Sequence, residues 1–269
     1  MELRVRLLPT TPRLLAIHQQ ELPQKDELCG PFCTLLALRA LTAEGAMSLD
    51  QDEVALAAGT TVASAAEADS SLPPGHPGRR DYRAQLPVAD DPKLSGTNAG
   101  GLIRAVERLT QGSAAAVPLT ARWEGERIAD LLELGERHSA AVLLNLQTGR
   151  LWGSRPDPAG VLAFLRGEPA NAPAADWAVG HFVALVGSVH GPARELAVVA
   201  DTYETLGWRG VHLQPFDALA AALNRDAPRT GGALMVVGGE AVEPLAEDAE
   251  GRGFEIIAWD NGSVDVAAG

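Results

Sequence analysis

The feature that most constrains the fold of this chain is a pair of apolar segments joined by a short turn. Residues 181–189 and 195–203 flank the turn sequence HGPA, and this arrangement predicts two adjacent antiparallel strands. Apolar runs at 140–147 and 233–238 predict further buried strands. The second half of the chain is therefore expected to be rich in β-structure.

Helices are expected mainly before and between these strands. Residues 29–42 present a broad apolar face with Arg39 outside it, and Pro31 fits the first turn of a helix, where its missing N–H costs nothing. Residues 63–97 are rich in Pro, Gly, Ser and Asp and lack periodicity, which predicts a long loop. Further helices are predicted at 50–58, 98–109, 124–136, 158–167 and 215–224.

The composition excludes several classes of protein. With 46% hydrophobic residues the chain is too apolar for a disordered protein, and it has no run of about 20 uncharged apolar residues that could span a membrane. Its net charge of −13 argues against a nucleic-acid partner. Residues 240–269 hold eight acidic residues and one arginine, more than half of that net charge. We therefore expect one domain over 1–240 and an acidic C-terminal segment over 241–269.

Cysteine usage and the N-terminus bear on metal binding and location. Two cysteines four positions apart cannot build a disulfide framework or a four-ligand zinc site, and no metal or other cofactor is expected. Arg4, Arg6 and Pro9 interrupt the first apolar run, so it does not resemble a signal peptide. The sequence thus predicts a cytoplasmic protein without a membrane or nucleic-acid partner, and it leaves the oligomeric state open.

Cys29 is the candidate nucleophile because it lies at the start of the first strongly apolar helix. The free N–H groups and the dipole of a helix N-terminus favour an anion, and hence the thiolate, which is the nucleophilic form of cysteine. Gly30 lets other backbone approach the site closely. A cysteine in this position taken alone is more often a structural thiol, and the assignment therefore depends on its partners. Cys33, one turn later, is expected to be a small core residue.

His181 and Asp201 are the candidate partners, one on each strand of the predicted hairpin. If the turn centres on Gly191, both lie ten positions from it and face each other, with Cβ atoms about 5 Å apart. A carboxylate beside an imidazole holds the ring in one orientation and tautomer, as a catalytic base requires.

The other histidines are predicted to take no catalytic part. His190 lies in the predicted turn, where exposure is expected, and His212 lies in a later apparent strand. Neither is expected to have a carboxylate placed by register as Asp201 is for His181. The rest are expected at the surface, namely His18, His76 and His138.

Taken together, these motifs resemble the papain-like cysteine peptidases, and most closely the C39 peptidases and C39-like proteins. The resemblance covers roughly residues 20–240 and is carried, in chain order, by Gln24, Cys29-Gly30-Pro31, Gly180-His181 and Asp201. Gln24 stands one position closer to the cysteine than is usual in that family. The resemblance implies an α+β fold, in which a nucleophile helix and a helical part pack on an antiparallel sheet that carries the histidine and the aspartate.

The resemblance also implies a role for each residue. Cys29 would be the nucleophile, His181 the general base and acid, Asp201 the residue that orients the histidine, and Gln24 a hydrogen-bond donor to the oxyanion. The protein would then be a cysteine-dependent peptidase or acyltransferase that forms an acyl-enzyme on a peptide or a biosynthetic intermediate. Its expected substrate-binding residues are Gly30, Gly180 and Trp177.

Two other functions stay open at this stage. The displaced Gln24 is compatible with a non-catalytic module that binds peptides on the same fold. The acidic segment 241–269 is compatible with a protein that docks on a basic partner surface.

Overall fold

The computed structural model describes residues 3–41, 48–64, 72–169, 171–225 and 229–264. It has an α+β fold, as predicted, built on a seven-stranded sheet. The strands are β1 (Arg4–Leu7), β2 (Ala114–Leu119), β3 (Ala141–Gln147), β4 (Gly180–His190), β5 (Glu195–Ala200), β6 (Val211–Pro215) and β7 (Gly232–Gly238). The helices are α1 (Thr11–Glu21), α2 (Cys29–Leu41), α3 (Gln51–Ala58), α4 (Ala99–Thr110), α5 (Gly125–Arg137), α6 (Pro158–Leu165), α7 (Phe216–Leu223) and α8 (Val242–Gly251).

The sheet is antiparallel at every strand pair of the described chain. Its order is β2-β7-β3-β4-β5-β6, and β1 pairs with β4 outside this path. The long strand β4 serves two neighbours on the same side, because β3 pairs with residues 180–185 and β1 pairs with residues 187–190. The beginning of β4, which carries His181, therefore pairs with β3 and extends beyond the part of β4 that pairs with β5.

Helices cover both faces of this sheet. Alternate residues of β3 enter opposite cores: Leu143 packs with apolar residues of α1 to α4, whereas Leu144 packs with those of α5, α7 and α8. Both faces are buried, which explains why β3 is a continuous apolar run rather than an alternating one. Nine residues of α2 are buried, so the helix that begins at Cys29 is enclosed by its neighbours and held firmly against the sheet.

The register of the β4–β5 hairpin differs from the prediction. His190 pairs with Glu195, and Ala184 pairs with Ala200, with an irregularity between Leu185 and Gly187. A turn centred on Gly191 would instead pair Ala184 with residue 198. The predicted register was therefore wrong by three residues next to the turn and by two residues beyond the bulge. The turn is centred further along the chain than Gly191, and the bulge takes back one residue of that shift.

Helix-capping residues behave as the sequence indicates. Asp50 forms a capping box with Glu53 at the start of α3, and the Asn98 side chain accepts a hydrogen bond from the Gly101 N–H at the start of α4. No prediction covered β1, α1, β2 or α8, so these four elements are additions to the predicted fold.

The acidic C-terminal segment packs on the same body over its described residues; residues 265–269 lie outside them. Leu245 and Ala249 of α8 are buried in one core, and Trp259 is buried in the other. Asp248 forms ion pairs with Arg137 and Arg252. The described part of the acidic segment is thus held against residues 1–240 by apolar packing and by ion pairs.

The long loop predicted at 63–97 is fastened at its ends. Thr61 pairs with Gly96, and Val62 pairs with Val88, in isolated bridges. Residues 65–71 of this stretch lie outside the described residues. None of the described helices is long and apolar enough to cross a membrane.

Candidate active site

Cys29 is the first residue of α2 and is half-buried at the edge of a cleft. The N–H groups of the first helical turn have no carbonyl within their own helix to bind. Gly30 is buried, and a Cβ there would lie 3.2 Å from Leu102 Cδ1 and 3.4 Å from Phe182 Cδ2. Gly30 therefore allows α2 to pack closely on β4 and α4, but it is not among the residues that line the cleft.

Cys33 has a different environment. Its side chain is fully buried in the core formed with α1 to α4. Burial raises the pKa of its thiol well above the usual value, and the nearby Cys29 and Asp201 act in the same direction. Cys33 is thus a core residue, as predicted.

The structure brings His181 and Asp201 together although the predicted register is wrong. His181 lies at the start of β4, Asp201 follows the last residue of β5, and their Nε2 and Oδ1 atoms are 3.0 Å apart. Cys29 lies close enough to His181 that its charge and a hydrogen-bond interaction with it help to raise the pKa of His181. Since Nε2 faces Asp201, Nδ1 is the ring nitrogen that remains for the sulfur. Cysteine, histidine and aspartate form one continuous chain of contacts.

The charges of this chain reinforce each other. Burial by itself lowers the pKa of His181, but the charge of Asp201 and hydrogen bonds with Asp201 and Cys29 outweigh burial and raise the pKa to about 10. Burial by itself raises the pKa of Asp201, but His181 and the hydrogen bond from His212 hold it well below its usual range. An imidazolium beside a carboxylate is therefore the stable state of the pair at neutral pH.

The expectation that neither His190 nor His212 has a carboxylate partner is wrong. His190 pairs with Glu195 at the far end of β4, and His212 contacts the second oxygen of Asp201. Its Nε2 lies 3.3 Å from Asp201 Oδ2, and its Nδ1 lies 3.1 Å from Gln214 Nε2. The Gln214 amide is fixed by two hydrogen bonds with the backbone of Trp152. Gln214 must then donate to Nδ1, so the proton of neutral His212 is on Nε2, from which it donates to Asp201.

His18 supports Asp201 from the other side and is not the surface residue that was predicted. It is fully buried, and its Nε2 lies 2.6 Å from the Asp201 carbonyl oxygen. Burial lowers its pKa despite that hydrogen bond. Gly210 leaves room for this contact, because a Cβ there would lie 2.9 Å from His18 Cε1. Asp201 is thus fixed at its carboxylate and at its backbone.

Gln24 lines the cleft, and its amide is engaged by a neighbour. Its Nε2 donates to the Tyr203 hydroxyl at 3.0 Å and to the Lys25 carbonyl at 3.2 Å, while Oε1 is buried without a hydrogen-bond partner among the described residues. Burial raises the pKa of Tyr203, and the nearby Cys29 adds to this effect. Tyr203 therefore keeps its proton, and this proton has no hydrogen-bond acceptor among the described residues.

The cleft beside Cys29 has a volume of about 330 Å³, and its lining includes Gly180 and Trp177, which were predicted to bind substrate. The Trp177 ring meets His181 edge-on with centroids 5.1 Å apart, and it meets Tyr203 in the same way at 5.5 Å. Tyr203 in turn stacks on His181 with centroids 5.9 Å apart. The imidazole is thus packed between two aromatic rings, neither of which separates it from Cys29.

A buried ion pair fixes the loop between α1 and α2 that delivers Cys29. Lys25 Nζ lies 2.5 Å from Asp52 Oδ2, and the two side chains are 4% and 2% exposed. Lys25 Nζ also donates to the Asp81 carbonyl at 2.8 Å, and its backbone N–H donates to Gln51 Oε1 at 2.8 Å. The loop is therefore tied both to α3 and to the segment near residue 81.

We expect Asp52→Ala to lower the free energy of unfolding by about 3–5 kcal/mol, because it leaves the Lys25 ammonium buried without its counter-charge. Urea denaturation of both proteins measures the change. The double variant Lys25→Met/Asp52→Leu should recover most of the lost stability. Equal losses in the single and the double variant would show that the ion pair is not the cause.

No group of three or more His, Cys, Asp or Glu side chains in the described part of the chain is arranged to hold a metal ion. Sequence reasoning missed His18, His212 and Tyr203 as parts of the site. A sequence signal for Tyr203 was available. This tyrosine lies two residues after Asp201 on the predicted strand 195–203, and alternate side chains of a strand point to the same face.

Comparison with known proteins gives one family match. The profile described as "Family of unknown function (DUF6885)" matches residues 8–260, which includes every residue of the site. No curated protein matches the chain.

Proposed function

This chain belongs to the DUF6885 family, whose function is unknown, and on that premise we propose that it is a cysteine-dependent hydrolase or acyltransferase acting on a peptide or amide bond. The observation that carries the proposal is the continuous contact from Cys29 through His181 to Asp201 at the edge of an open cleft. This arrangement of nucleophile, base and orienting carboxylate recurs in enzymes that transfer acyl groups.

In the proposed first half-reaction, the thiolate of Cys29 attacks the substrate carbonyl carbon. A C–S bond forms as the carbonyl π-electrons move to oxygen, which gives a tetrahedral oxyanion. The protonated His181 then gives its proton to the leaving amine as the C–N bond breaks, and a thioester on Cys29 remains. Asp201 stabilises the imidazolium before this transfer.

The proposed oxyanion donors are the backbone N–H of Cys29 and the pair Gln24–Tyr203. The N–H groups of Cys29 and Gly30 at the start of α2 have no carbonyl partner within the helix, and they favour a negative charge. Because Gln24 donates to the Tyr203 oxygen, the Tyr203 hydroxyl proton is free to bind an acceptor in the cleft. Gln24 would then act on the oxyanion through Tyr203.

In the proposed second half-reaction, His181 removes a proton from water or from an amine, which attacks the thioester. The C–S bond breaks, the product leaves, and the thiolate is restored beside the imidazolium. Water as the acceptor gives hydrolysis, and an amine gives acyl transfer.

The proposal extends to the fold family. A helix that begins at the candidate nucleophile and packs on an antiparallel sheet bearing His181 and Asp201 supports a papain-like fold of the C39-like type. The second candidate function is a non-catalytic peptide-binding module. One observation favours it: the Gln24 amide donates to the Tyr203 hydroxyl and to the Lys25 carbonyl. Both amide protons are therefore in use, and neither points to an oxyanion.

Alkylation by iodoacetamide separates the two functions. We expect Cys29 to react at least about 100-fold faster than Cys33 at neutral pH, because Cys33 is fully buried. His181→Ala should slow Cys29 about 10- to 30-fold, since an unassisted thiol with a pKa of about 8.5 is only a few per cent ionised at pH 7. Peptide mapping by mass spectrometry measures both rates.

His190→Ala is the matched control, because this histidine pairs with Glu195 at the far end of β4. It should leave the alkylation rate of Cys29 unchanged. Alkylation of Cys29 no faster than that of glutathione, with no effect of His181→Ala, would favour the binding module.

A further inference from the structure

We propose that the cleft beside Cys29 binds a carboxylate group of its substrate through Arg225, assisted by Arg229 and Lys93. The inference rests on the proposed function and defines a substrate class for the same site: peptides or amides that carry a carboxylate close to the bond that reacts. All three cations line the cleft together with Cys29.

Arg225 is held against the catalytic strand. A Cβ at Gly180 would lie 2.6 Å from Arg225 Nη2, so the guanidinium lies directly over the residue that precedes His181. Arg225 Nη1 donates to Asn145 Oδ1 at 2.9 Å, and Trp259 Nε1 donates to the same oxygen at 3.2 Å. This shared acceptor fixes the guanidinium with one edge bound to the protein.

The three cations Arg225, Arg229 and Lys93 form a basic wall of the cleft, and this wall has no ion pair within the described residues. No carboxylate there lies within ion-pair distance of Arg225, Arg229 or Lys93, whereas nine other arginines of the described chain form such pairs. Burial lowers the pKa of Arg225, and the like charge of Arg229 lowers it further, while Cys29 and Asp260 oppose both. Two guanidinium groups that line the same partly buried cleft favour an anionic ligand.

The chemistry of the wall favours a carboxylate. A guanidinium offers parallel N–H groups that match the two oxygens of a carboxylate, and charge-assisted bonds of this kind are stronger than neutral ones. Because Arg225 adjoins Gly180, the bound carboxylate would lie near the acyl group held between Cys29 and His181. The net charge of −13 shows that this basic wall is not a general property of the protein surface.

A pair of alkylating reagents tests the inference without knowledge of the natural substrate. Iodoacetate carries a carboxylate at the position where iodoacetamide carries a neutral amide of similar size, so the two reagents differ mainly in charge. We expect the iodoacetate-to-iodoacetamide rate ratio at Cys29 to exceed that of glutathione in the same buffer. Arg225→Gln should lower this ratio about tenfold, as one charge near the reagent would, and high salt should lower it as well.

Two further variants keep the test valid if Arg225→Gln disturbs the fold. Arg229→Gln should also lower the ratio. Arg137→Gln, on α5 and outside the cleft, makes the same change in net charge and should leave the ratio unchanged. An equal slowing with both reagents in Arg225→Gln would mean that Arg225 acts on the thiolate alone, and that result would overturn the inference.

Competing peptides identify the source of the carboxylate. N-acetyl-dialanine as the free acid, its C-terminal amide, and an N-acetyl-glutamyl-alanine amide are each tested for protection of Cys29 against iodoacetamide. Protection by either acid beyond that of the dialanine amide supports the inference and shows whether a terminal or a side-chain carboxylate is bound. Equal protection by all three contradicts it. Slow alkylation by both reagents in the wild type would instead contradict the proposed function itself.

Discussion

Replacing Asp201 by alanine is expected to lower the free energy of unfolding by about 3–5 kcal/mol, one of the largest effects of any single change in this protein. The carboxylate contacts His181, His212 and the backbone N–H of Thr202, all of them buried. Its removal leaves these donors without an acceptor and leaves a positive imidazolium without its counter-charge. Thermal and urea denaturation measure the loss.

Two variants separate the charge of Asp201 from its shape. Asp201→Asn keeps the shape and one acceptor oxygen, so we expect a smaller loss of stability but a slowing of Cys29 alkylation similar to that of His181→Ala. Asp217→Ala, at an exposed position on α7, should change stability by less than about 0.5 kcal/mol. Unchanged stability in Asp201→Ala would contradict the assigned role of this carboxylate.

His181 is expected to remain an imidazolium far above the pH at which an ordinary histidine loses its proton. The pKa of His181 is raised from 6.5 to about 10. NMR of the ring carbons should therefore show titration near pH 10. A histidine that titrates near pH 6.5 would contradict the assigned geometry, because neither Asp201 nor Cys29 would then be acting on the ring.

The same shift makes stability depend on pH. A group whose pKa is raised on folding stabilises the folded state fully below its unfolded pKa, and this stabilisation is lost as the pH rises through the folded pKa. The contribution of His181 should thus fall between pH 6.5 and about 10. The slope should be absent in His181→Gln. Asp201, whose pKa is lowered on folding, stabilises the protein above its unfolded pKa and loses that contribution in acid.

The hairpin shows what periodicity reveals and what it leaves undetermined. Apolar runs predicted β4 and β5 within a few residues, because burial on both faces selects apolar side chains. They did not predict the register, because a bulge between Leu185 and Gly187 leaves no clear mark in an apolar run. His181 and Asp201 still meet, since a shift of two residues keeps Asp201 on the same face of the sheet.

The residues of the site likewise fall into those that a local sequence pattern reveals and those that it does not. Cys29 was found from the sequence because a helix start is a local signal, and His181 and Asp201 because they flank one hairpin. His18 and Arg225 were missed because each reaches the site from a distant part of the chain. The contact of His18 with the Asp201 backbone spans 183 residues, and no local pattern encodes such a contact.

Capture of an acyl-enzyme tests the central claim most directly. The protein is mixed with p-nitrophenyl acetate, nitrophenolate release is followed in the first turnover, and the acid-quenched protein is mapped by mass spectrometry. We expect a rapid burst with acetyl on Cys29, absent in Cys29→Ala, retained in Cys33→Ala and strongly slowed in His181→Ala. No acetyl on Cys29, or the same burst in Cys29→Ala, would contradict this claim.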